Sequence, residues 1–172
     1  MILPMEGDAG SGLKPGSPTV FLNSKAEESN AMFSPDGQWL AYASSELGST
    51  DLFVRPFPKK AGGARRVTTE GGFWPFWSAT SHDLLFVNRA NRLMFAAYAV
   101  EGDAFTPSQP KPWSPAGFQP TPTGGTPYAL HPDGKRVVVA AGAAPDAAEV
   151  RDKVVFYFGF GEYLKKIAPV KR

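Results

Sequence analysis

The feature that most constrains this fold is a short phrase that the chain uses twice. "NAMFSPDGQWLAYAS" (30–44) and "TPYALHPDGKRVVVAA" (126–141) each set Pro-Asp-Gly between an aromatic or aliphatic lead-in and a run of strand formers. Proline presets φ for the first central turn position, aspartate tolerates the second, and glycine takes the left-handed position that closes a tight hairpin. Ser34–Gly37 and His131–Gly134 therefore read as loops joining the first and second strands of a repeated unit. Between them lies a copy with degraded turn chemistry, in which Ala79-Thr80-Ser81-His82 follows "FWPFW" (73–77) and precedes "DLLFVNR".

The spacing makes the repeat countable. Trp77 follows Phe33 by 44 residues and Leu130 follows Trp77 by 53, each closing an aromatic-bearing segment before its turn. Further strand-like runs come after: "DLFVRPF" (51–57) and "ARRVTT" (64–69), "LMFAAYAV" (93–100), and "KVVFYFGF" (153–160). Four short strands per ~45 residues is the period of a β-propeller blade. The expected fold is all-β: a partial propeller of about three four-stranded antiparallel blades in a single portion, 1–172. Two strands of an incomplete blade fall in 1–24 ("MILPME", "PTVFLN"), one blade in 31–69, a looser one in 74–114, and a three-stranded one in 126–160. A short C-terminal helix is expected over 161–168, where Tyr163, Leu164 and Ile167 share a face before Pro169.

Composition narrows the function classes. The 18 glycines and 17 prolines are spread along the chain, as frequent turns require, rather than gathered in one tail. Eighteen basic residues against 16 acidic ones give no basic excess of the kind nucleic-acid binders carry, so no nucleic-acid partner is expected. The lack of cysteine rules out disulfides, thiolate metal sites and a cysteine nucleophile. No apolar run approaches the ~18 residues of a membrane span. The start, "MILPMEGDAG", lacks the basic leader and longer apolar segment of a signal peptide. As written the chain is expected in the cytoplasm, or in the periplasm if it is part of a longer membrane-anchored parent.

The run Phe33–Leu40, aromatic-Ser-Pro-Asp-Gly-x-x-apolar, resembles the TolB-type, WD-repeat-like propeller repeats of bacteria. The resemblance is nearest to the C-terminal propellers that follow some bacterial serine/threonine kinases. It is carried by "FSPDGQWLAYASSELGSTDLFVRPFP", "GGFWPFWSATSHDLLFV" and the ending "DKVVFYFGFGEYLKKIAP", and so spans nearly the whole chain. It implies a scaffold and no particular activity. No Gly-rich loop, catalytic loop or Asp-Phe-Gly run of a kinase is present, nor the Gly-x-Ser-x-Gly elbow of peptidases with similar propellers. What the resemblance implies is the last half of a propeller. Closed propellers use roughly 4 to 8 blades, and an open stack exposes strand edges. The two strands in front and three behind are nearly complementary, so two copies about a two-fold would close a ring of about six blades. The alternative is completion by the blades of a longer parent chain.

In a propeller the residues just before each innermost strand line the channel mouth. That places Glu28, Asn30, Gly72, Phe73, Trp74, Thr126 and Tyr128 there as a ligand-binding rim with one acid. Phe73 and Trp74 read either as a stacking wall or as packing between blades, and Trp77 as core in both cases. His82 and His131 occupy turns and read as solvated; no spacing supports a metal, and no cofactor is expected. Ser108 and Lys111 match a Ser-x-x-Lys nucleophile motif only formally, because Pro107, Pro110 and Pro112 deny the helix it needs. The Pro-, Gly- and Thr-rich stretch from Thr106 to Pro127 reads as a long loop, either binding or merely inserted. Arg65-Arg66 and Arg89/Arg92 read as solvated basic pairs. The expected function is a non-catalytic module for protein–protein interaction or ligand sensing, completed by self-association. The alternative is a hydrolase of esterase or glycosidase type at the channel mouth, with Glu28, His82 and Asp83 as first suspects.

Overall fold

Strand-forming runs separated by turn residues produce short antiparallel strands throughout. The computed structural model describes residues 1–8, 10, 12–58, 63–119 and 125–140. These residues are all β, contain no helix, and pair only antiparallel. The expected strand at 153–160 and helix at 161–168 lie outside them.

The chain opens with a small hairpin of β1 (Met5–Glu6) and β2 (Lys14–Pro15), extended by a bridge between Ile2 and Thr19. The pairing is therefore made by Lys14–Pro15 and Thr19 rather than by the whole "PTVFLN" run, and Val20 stays exposed. A four-stranded sheet follows in sequential order: β3 (Glu28–Phe33), β4 (Trp39–Ser44), β5 (Asp51–Pro56) and β6 (Arg65–Arg66). A second sheet repeats the pattern with β7 (Phe73–Trp77), β8 (Asp83–Val87) and β9 (Arg92–Glu101). Its outer strand comes in two pieces, β10 (Ala104–Pro107) and β11 (Lys111–Gly117), both paired to β9. Ala97 O accepts from Ser108 N at 2.7 Å, whereas Tyr98 N donates to His82 O at 2.9 Å, so these pieces occupy the edge of β9 opposite β8. A last hairpin joins β12 (Tyr128–Leu130) to β13 (Val137–Val139).

Much of the stretch expected as a long loop after Thr106 is thus a strand. Its prolines are tolerated because an edge strand need not donate on its outward side. Trp113 and Phe118 pack inward from it.

Three loops close in the same way. Ser34 N donates to Trp39 O at 2.9 Å, Ser78 N to Asp83 O at 2.9 Å, and His131 N to Arg136 O at 2.8 Å. In the two Pro-Asp-Gly copies the glycine is left-handed, with φ of 68° at Gly37 and 70° at Gly134. The middle loop has no glycine, and the Ser78 hydroxyl accepts from Thr80 N and Ser81 N instead.

Side-chain alternation stacks the sheets. Trp39, Ala41, Ala43, Leu52 and Val54 on one sheet meet Trp77, Leu84, Phe86, Ala96 and Phe105 on the next, forming the main core. On its other face the second sheet offers Leu85, Val87 and Leu93 to Tyr128 and the β12–β13 hairpin. β8 is therefore covered on both sides, which is why it reads as an unbroken apolar run. The other face of the first sheet, with Leu40 and Tyr42, lies against the N-terminal segment.

Candidate ligand-binding site

A cavity forms where that N-terminal segment crosses the first sheet. It has a volume of about 410 Å³. Phe33, Leu40 and Tyr42 supply its sheet side, and Ile2, Leu3, Phe21 and Leu22 its other wall. Phe57 ties the two together, with ring centroids 5.3 Å from Phe21 and 4.8 Å from Phe33. The polar lip is Glu28, Ser29 and Asn30, followed by Ala31.

Four consecutive residues of one strand would ordinarily alternate between faces. Here the register of β3 on β4 slips between Ser29 and Met32, and Asn30 takes φ of 54°. A bulge of this kind bends the strand and re-aims side chains. It brings Glu28, Ser29, Asn30 and Ala31 to the same cavity. The Glu28 carboxylate accepts a hydrogen bond from the Ser24 hydroxyl. Beneath the lip, burial pushes the Tyr42 hydroxyl above its ordinary pKa, against the opposing pull of a hydrogen bond with Arg55. Arg55 Nε is the buried side-chain polar atom left without a hydrogen bond among the described residues.

The other expected rim residues sit one and two units along. β7 carries the same slip, between Phe73 and Phe76, and the same left-handed residue, Trp74 with φ of 52°. Asparagine enters that region easily, but a bulky side chain there is an outlier that its surroundings must hold in place. The holder is the buried Tyr128, whose hydroxyl donates to Trp74 O at 2.6 Å and whose own ionisation burial pushes well above its ordinary range. Trp74 packs on the second core cluster and lies against Phe73 at 5.8 Å between centroids. Its ring thus takes part in packing between units. Thr126 is exposed. Gly72 is there for lack of room, since a Cβ would come within 2.8 Å of Leu52. Trp77 is core, and its Nε1 donates to Met32 O at 3.1 Å.

The suspects for hydrolysis are not brought together. His82 and Asp83 lie at the turn after β7, where Asp36, Ser78, Thr80, Ser81, His82 and Tyr98 line a separate polar cleft of about 260 Å³. Asp36 belongs to the turn after β3, so Glu28 is at the far end of that six-residue strand, roughly 17 Å away. His82 is exposed and lies edge-on to Tyr98 at 5.4 Å. His131 is half-exposed and contacts Asp133 at 3.1 Å. Ser108 bonds its neighbour Gln109 O, and Lys111 opens β11 rather than sharing a helix with it. Among the described residues no three histidines or carboxylates gather as a metal would need, and no helix is long and apolar enough to cross a membrane.

Sequence reasoning missed two things. The first is the N-terminal wall of the cavity, which pairs with β3 only in space. The second is a buried polar knot around Asp51, which is fully buried. Its carboxylate accepts from Arg66 at 2.6 Å, Ser49 at 2.8 Å, Thr68 at 2.9 Å and Gly71 N at 2.9 Å. Burial alone would raise the carboxyl pKa, but these bonds outweigh it and hold it below its usual value. Arg66 is therefore a structural partner of Asp51 while its side chain stays 33% exposed, and Arg65 beside it is exposed as expected. The one available signal was an acid opening an apolar run, "DLFV", directly after a serine turn.

No protein-family model matches this chain, and no curated protein matches it.

Proposed function

We propose that the chain is a non-catalytic propeller-type module, related to the TolB-like repeats, that binds a ligand or a protein partner on a rigid stack of sheets. The single observation that carries this reading is the repeat in three dimensions. Two sequential antiparallel meanders, of four and five strands, lie face to face, with the same bulge in their first strands and the same closing turn after them, and a third hairpin stacks beyond. Such a stack grows by copying, and among the described residues Phe33 stays 44% exposed beside the N-terminal segment and Val138 67% exposed on the last described hairpin. A second copy related by a two-fold, or the blades of a longer chain, supplies the missing neighbours in a ring of about six.

The test is solution mass by light scattering on a sizing column, together with a panel of chromogenic esters and glycosides. A dimer without turnover is expected. A monomer would sink completion by self-association. Turnover abolished by Glu28→Ala would replace the binding module with a hydrolase.

A further inference from the structure

We infer that the cavity between the N-terminal segment and the first sheet is a small-molecule site whose ligand is an ammonium cation carried on a compact apolar body. This rests on the ligand-binding half of the function proposed above, but it requires no ring closure. Four observations point the same way.

The volume of about 410 Å³ falls within the ~300–1,000 Å³ range of pockets that enclose small ligands. The lining is mostly apolar, so a ligand must bring apolar surface to match it. Glu28 is the single charged side chain in that lining, to which Met1 also contributes with its α-amino group, and it sits at the lip beside the Ser29 and Asn30 side chains, which can accept hydrogen bonds. A carboxylate facing a largely apolar cavity asks for a cation, whereas a second anion would be repelled. Finally, the rings of Phe21, Phe33 and Tyr42 line the same space, and aromatic faces attract an ammonium group.

The bulge gives this constellation a structural cause. Without the slip at Asn30, β3 would turn only alternate residues to the cavity, and the acid and its polar neighbours would part. Arg55 shares the Leu40 face of the sheet and is bonded to Tyr42, but it is not among the residues that line the cavity, so Glu28 remains the charged side chain that a ligand meets there. The ligand's head therefore meets Glu28 at the lip, and its apolar body lies along Leu40 and Phe33 under Ile2 and Leu3.

Isothermal titration calorimetry of the full chain with three matched probes tests this: 2-phenylethylammonium, 2-phenylethanol and 3-phenylpropionate. The ammonium probe should bind about tenfold more tightly than the alcohol, the size of one charge-assisted contact, and the carboxylate should bind most weakly. Glu28→Gln keeps an acceptor for the Ser24 hydroxyl; it should bring the ammonium down to the level of the alcohol and leave the alcohol unchanged. Ala31→Leu, which adds bulk inside the cavity, should weaken both. Equal affinity for all three probes, or ammonium binding indifferent to Glu28→Gln, overturns the cation assignment. No heat from any probe up to roughly 10 mM overturns the site itself. Should either variant fail to fold, the ranking of the three probes on the unmodified chain still decides. Light scattering on the same samples separates the two readings: a dimer that binds nothing sinks the pocket alone, and a selective monomer sinks ring closure alone.

Discussion

The two large sheets have the same plan and different fastenings. Each is an antiparallel meander whose first strand bulges at its third or second residue and then turns through a loop closed five residues on. In the first sheet the outer strand is only two residues long, Arg65–Arg66, and the segment leading from it to β7 is held by the buried Asp51 carboxylate. In the second the outer strand is longer, broken between Pro107 and Lys111, and fastened by rings. Phe105 lies 5.3 Å from Trp39, 6.0 Å from Trp77 and 4.9 Å from Tyr98. The meander is thus independent of how its edge is secured. Turn chemistry and alternation make the plan, and either hydrogen-bonded charge or aromatic area can finish it.

Removing each fastening is the most direct way to break this comparison. Asp51→Ala leaves Arg66 and three other donors without their acceptor and should cost about 3–5 kcal/mol. Phe105→Ala opens a cavity between the sheets and should cost a similar 3–5 kcal/mol. Denaturant unfolding measures both. If Asp51→Ala cost under about 1 kcal/mol, the level of an ordinary surface pair, the polar knot would not be what secures the first sheet.

Acid should then tell the two fastenings apart. The folded Asp51 carboxyl titrates below its unfolded value, so its contribution is fully present above about pH 4 and is lost as pH falls through the lower folded value. The melting temperature of the unmodified chain should therefore fall more steeply below about pH 4 than that of Asp51→Asn. Phe105→Ala should keep the steep fall of the parent. Parallel profiles for the parent and Asp51→Asn would remove Asp51 as the acid-sensitive element.

The smallest effects should come from the turns, and they sharpen the comparison between units. Gly37 and Gly134 share one conformation, yet nothing lies within 4 Å of a Cβ built on Gly37, while one on Gly134 would clash with the Thr80 hydroxyl of the neighbouring loop. Gly37→Ala should cost about 1–2 kcal/mol for the left-handed backbone alone. Gly134→Ala should cost more, and the extra loss should largely vanish in a Thr80→Ala background. An equal cost at both positions would mean that the loops do not bear on one another.

Much of this fold was legible in the sequence, and the successes share a cause. The turns at Ser34–Gly37 and His131–Gly134, the strands of the first sheet, and Trp77 as core all follow from local backbone preferences and two-residue alternation. The readings that failed needed a partner. The stretch after Thr106 looked like a loop because proline and glycine are common to loops and edge strands, and only β9 makes it a strand. The pairing of Arg66 went unseen because its acid lies 15 residues earlier in the chain. Of the candidate site, Glu28 and Asn30 were named as lying before a first strand; the structure places both within β3, and both line the cavity under the N-terminal segment. Phe73, Trp74 and Tyr128 gather elsewhere, and the Tyr128 hydroxyl spends its bond on the Trp74 carbonyl.

By itself, then, the sequence determined the all-β class, the strands of the first sheet and the turns that join first and second strands, since each depends on residues a few positions apart. The tertiary structure alone decided which faces met, where the bulge sent Glu28 and Asn30, and which buried groups found partners. Burial and hydrogen bonding are satisfied across space, between segments that carry no mark of each other in the linear chain.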